Sequence, residues 1–143
     1  MLTLAIDTAT KVCSVALCRD GEITAEYNIN MGMTHSEGLL PQLEQLLKRT
    51  NTKKQDIDLI AVSMGPGSFT GLRIGLATAE AMAYSWQCLL QGVDTLKALA
   101  YNIPLEGFII SPVLDAQKGN YYQALYQWQE GKLVELAATE VVN

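Results

Sequence analysis

Residues 59–64, Leu-Ile-Ala-Val-Ser-Met, run straight into Gly65-Pro66-Gly67-Ser68-Phe69-Thr70-Gly71, and a long apolar stretch follows over residues 72–86. A buried-type strand turned through glycine into a helix is the joint of an α/β fold. Two readings of this corner stay open. Unpaired N–H groups and the helix dipole converge at such a junction, which suits an anion. Alternatively, Gly71 and Gly75, one helical turn apart, let the helix pack close on the sheet, with Ser68 or Thr70 as a simple N-cap. The corner is no Walker A loop, since no Gly-Lys-Ser/Thr follows. It is no G-x-G-x-x-G either, because Thr70 stands where the third glycine belongs.

Around this joint the pattern is regular. Residues 2–6 read as a strand closed by Asp7-Thr8, residues 13–19 alternate, Asp20-Gly21 is a hairpin turn, and residues 22–30 continue as a third strand. A glycine-containing loop leads to a helix from about residue 36 to 49, with Leu39, Leu40, Leu43, Leu46 and Leu47 on one arc. After the second helix, residues 89–93 suit a strand and 95–101 a short helix. The opening order then recurs: strand 108–114 ending in Asp115-Ala116, alternating residues 121–128, a Glu130-Gly131 turn, and an extended run from Leu133. We read a weak internal duplication, with a first half-domain at 1–105 and the start of a second at 106–143. A lone three-stranded sheet leaves an apolar face uncovered. The expectation is therefore a fragment, or a face that another molecule covers.

Composition narrows the classes. Of 143 residues 49% are hydrophobic, too many for a disordered chain. No apolar run is long enough to span a bilayer, and residues 1–7 lack the basic start of a signal peptide. A net charge of −5 argues against nucleic-acid binding by this chain alone. The three cysteines show no C-x-x-C, and Cys13 and Cys18 should point to opposite faces of one strand, so we read buried, inert thiols. The expected location is cytoplasmic.

With Asp7-Thr8-Ala9-Thr10 after the first strand, residues 65–75 before the second helix, and Asp115-Ala116 with Tyr121-Tyr122 opening the repeat, the chain resembles the TsaB (YeaZ) family. The resemblance implies an actin-like, Hsp70-like and sugar-kinase (ribonuclease H-like) α/β fold with a mixed sheet, the second half-domain being truncated. It also implies a non-catalytic adaptor subunit in the synthesis of threonylcarbamoyladenosine beside the anticodon of tRNA. Such a subunit pairs with the catalytic relative TsaD, is joined by the ATPase TsaE, forms homodimers in some settings, and meets tRNA only through the complex. Alternatives are a nucleotide-dependent phosphotransferase of the same fold, or a self-associating protein without a tRNA role.

Catalysis by this chain is not expected. The catalytic relative holds its metal with two histidines four apart, whereas His35 is the sole histidine here and position 39 is leucine. No metal site is predicted, and a peptidase triad would need the same histidine. His35 reads as a helix-entry residue. Asp7, Thr8 and Asp115 are candidates for a degenerate phosphate site, with Gly65, Gly67, Ser68, Thr70 and Gly71 as the glycine loop. Ala9 and Gln117, however, stand where superfamily ATPases prefer a glycine, and a Cβ there makes positive φ costly. The two aspartates serve equally well as caps of strand-end hydrogen bonds. No cofactor is required by this chain, although ATP or ADP could sit at the heteromeric interface.

On a helical wheel, residues 72–87 confine Arg73, Glu80 and Gln87 to one stripe and are otherwise mostly apolar. A helix apolar nearly all round is buried on two sides. The predicted partner interface is Gly75, Leu76, Ala79, Met82, Ala83 and Trp86, with Leu39 and Leu43 from the rim of the first helix. The competing reading buries this helix beneath the chain's own elements.

Overall fold

Leu2, Leu4 and Ile6 are buried while Thr3, Ala5 and Asp7 are half-buried, the period-two signature of strand β1 (Leu2–Asp7). The computed structural model describes residues 1–30 and 35–143, so the glycine-containing loop expected after Asn30 lies outside the described residues. β2 (Val12–Arg19) and β3 (Glu22–Asn30) complete an antiparallel meander. Its Asp20-Gly21 turn has both residues at positive φ, 51° and 90°, the primed geometry that matches strand twist. Helix α1 (His35–Arg49), a 3-10 turn (Lys54–Asp56), β4 (Leu59–Gly65), helix α2 (Phe69–Trp86) and β5 (Leu89–Asp94) follow. The sheet order is β3-β2-β1-β4-β5, with β4 parallel to β1.

Residues Met1–Met64 and Ser68–Val93 form one compact unit. Its core joins Leu4, Ile6, Val15, Leu17, Ile60 and Val62 from the sheet to Leu39, Leu43 and Leu46 from α1 and Ala79 and Ala83 from α2. Gln42 is buried with them, and its side-chain amide donates to the carbonyls of Cys13 and Tyr27, each at 3.0 Å. The helix is thereby keyed to two neighbouring strands at once. Cys13 is buried as expected, but Cys18 and Cys88 are only half-buried. Burial pushes the Cys13 and Cys88 thiols up, with the Asp7 charge adding to the effect at Cys13.

The second unit comprises Gly65–Gly67 and Asp94–Asn143. Helix α3 (Thr95–Ala100) belongs here by packing, its Leu96 and Ala100 seated with Ile110, Ala124 and Tyr126, so this core begins before residue 106. Asp94 caps α3 by accepting from the Lys97 N–H at 2.7 Å. The strand expected over 108–114 is interrupted, as β6 (Ile109–Ile110) and β7 (Val113–Gln117), because Pro112 has no N–H to lend the ladder. Both pieces pair with β8 (Asn120–Gln129) in one unbroken register, from Ile109↔Gln127 to Asp115↔Tyr121, and β8 pairs with β9 (Lys132–Val142). Its Glu130-Gly131 turn, at φ 50° and 73°, repeats the primed geometry of the first hairpin. Strand, antiparallel strand, primed turn and third strand thus occur twice in the same order.

Candidate functional site

The turn leaving β1 shows what the glycine corner does. Asp7 Oδ1 accepts the Ala9 N–H at 2.8 Å, closing an Asx turn that holds Thr8 inward, completely buried. The Thr8 hydroxyl donates to the Gly71 carbonyl at 2.7 Å. A Cβ on Gly71 would collide with the Thr8 carbonyl oxygen, and one on Gly75 with the Thr8 hydroxyl oxygen. These two glycines therefore bring α2 against the end of β1.

Part of the corner's own donors is consumed. Ser68 N–H donates to the Ala9 carbonyl at 2.7 Å, Leu72 N–H to the Ser68 carbonyl at 2.8 Å, and Gly71 N–H to the Ser68 hydroxyl at 3.2 Å. Ser68, not Thr70, is the N-cap, which is why α2 begins at Phe69 rather than near residue 72. Of the two readings of the corner, close packing is the one whose bonds are made. Gly65 and Gly67 have positive φ, 115° and 159°.

His35 is the first residue of α1, completely buried, with Nε2 2.6 Å from the Thr10 carbonyl. Its ring also lies against the place a Gly71 Cβ would occupy. The imidazole thus ties the Asp7 turn to α1. Among the described residues no group of three or more His, Cys, Asp or Glu is arranged to hold a metal ion.

Asp115 repeats the Asp7 device in the second unit, its Oδ1 accepting the Gln117 N–H at 2.7 Å. The turns then diverge. Gln117 has φ 66° and Lys118 φ 55°, the left-handed conformation that glycine favours, while Ala9 is buried without a positive φ. The expected intrusion of a Cβ at both positions is corrected accordingly: strain falls on Gln117 alone. Both aspartates act as strand-end caps.

The interface expectation needs a larger correction. Gly75, Ala79 and Ala83 form the inward stripe of α2, with Ala79 0% exposed, and Leu39 and Leu43 lie in the same core. Leu76, Met82 and Trp86 are half-buried against its edge. Small residues do permit close approach, but the surface approached is the chain's own sheet. The outward face of α2 carries instead Phe69, Arg73, Ala77, Glu80, Ala81 and Tyr84, with Phe69 73% and Tyr84 89% exposed. The Arg73 guanidinium lies over the Phe69 ring, 5.5 Å from its centroid. The one signal that could have revealed this face was the four-residue spacing of Gly71, Gly75, Ala79 and Ala83, which marks the helix edge nearest a backbone.

Residues 29–143 match the family model described as TsaD: tRNA N6-adenosine threonylcarbamoyltransferase. The chain is 36% identical over 142 residues to the tRNA threonylcarbamoyladenosine biosynthesis protein TsaB of Bacillus subtilis (strain 168), covering 99% of this chain and 62% of that protein. Among solved structures it is similar to YeaZ from Pseudomonas aeruginosa, with a TM-score of 0.86 and 29% identity over 99% of this chain and 67% of the other. At the level of fold alone, it resembles the activator of 2-hydroxyisocaproyl-CoA dehydratase from Clostridium difficile, with a TM-score of 0.54 and 21% identity. The mixed sheet and its helices are those of the actin-like fold class that the sequence led us to expect.

Proposed function

The chain belongs to the TsaB (YeaZ) family, and on that premise we propose that it serves threonylcarbamoyladenosine synthesis on tRNA as a non-catalytic subunit that pairs with the TsaD transferase. It spans about 62% of the length of the Bacillus relative, so this role is inferred for the chain in hand from its own surfaces. The observation that carries the reading is the outer face of α2. Two aromatic residues that stand largely in water flank a flat alanine centre, with Arg73 and Glu80 beside it. Aromatic and arginine side chains are the residue types enriched at the centre of protein interfaces.

The β1 turn supports the absence of catalysis by this chain. Asp7 is spent on its own turn and the Thr8 hydroxyl and Ser68 N–H on holding α2 to that turn, so these groups serve packing rather than a phosphate. The test is co-purification with TsaD. Ala77→Arg and Tyr84→Arg should keep the fold yet lose the partner, and a strain relying on either should lose the modified nucleoside. Capture of TsaD at wild-type strength by both variants would refute the assignment.

A second reading, pairing between copies of this chain, has one specific observation in its favour. Antiparallel packing of two α2 helices about the midpoint between Leu76 and Ala77 would set Arg73 of one copy level with Glu80 of the other, and Phe69 level with Tyr84. Light scattering of the chain alone tests it.

A further inference from the structure

No further inference is drawn: the strongest candidate, the apolar groove of the second unit between the end of α3 and β6, lined by Leu99, Ile103, Leu105, Phe108, Ile109 and Pro112, has nothing in the structure to show what covers it.

Discussion

Gly75→Ala isolates the contact between α2 and the end of β1. In an open helix this change stabilises by about 1 kcal/mol, because alanine is the better helix former. Here the new Cβ meets the Thr8 hydroxyl oxygen. Either α2 retreats from the sheet, at the roughly 1–3 kcal/mol of overpacking, or Thr8 rotates and gives up its 2.7 Å bond to the Gly71 carbonyl, worth about 1 kcal/mol. A net loss of about 1–2 kcal/mol is expected. With Thr8→Ala already in place, the oxygen is gone and the new methyl enters its space. Gly75→Ala should then stabilise by about 1 kcal/mol, a coupling of at least about 2 kcal/mol in the cycle. Urea titration of the four proteins, followed by circular dichroism, measures it. Stabilisation by Gly75→Ala in both backgrounds would show that the glycine is not required for close approach.

Ala79→Arg places an unpaired charge and extra volume in the core and should cost about 4 kcal/mol or more, so its loss of helical signal contrasts with an intact Ala77→Arg. If copies of the chain pair through α2, Arg73→Glu or Glu80→Arg alone should weaken the dimer in sedimentation, and the double reversal should restore it. Gln117→Gly should raise the melting temperature, by up to about 1 kcal/mol of relieved strain, whereas Ala9→Gly should lower it. Burial pushes the Tyr126 hydroxyl up to about 12, with the Asp94 and Glu135 charges adding to it. Between the ordinary value near 10 and about 12 the unfolded chain therefore loses its proton first, so stability falls as pH rises through that window. Tyr126→Phe should remove that extra slope, as read from denaturation midpoints at stepped pH.

Alternation and turn chemistry were readable because each has a single physical cause. Leu2, Leu4 and Ile6 can face one side only, and Asp20-Gly21 and Glu130-Gly131 suit the left-handed turn that both hairpins use. The second helix was harder for a reason internal to its composition. Its wheel is apolar nearly all round, and alanine carries no mark of the side it faces, since it suits a tight core and a flat interface alike. Only a partner in space separates the two uses, and that partner is Thr8, more than sixty residues away in the chain. The spacing of Gly71, Gly75, Ala79 and Ala83 held the clue that the wheel left unread, because four small residues at successive turns leave a groove that only something as close as a backbone fills. With that edge committed to β1, Ala77 and Ala81 are left for the opposite side, between aromatic residues that have no use in the core. Tyr84 therefore discriminates better than any alanine. If the outer face is an interface, Tyr84→Ala should weaken partner binding by about 2 kcal/mol or more while leaving the urea midpoint within about 0.5 kcal/mol of wild type. A variant that binds normally would leave Tyr84 as an exposed ring without a role and move the contact elsewhere.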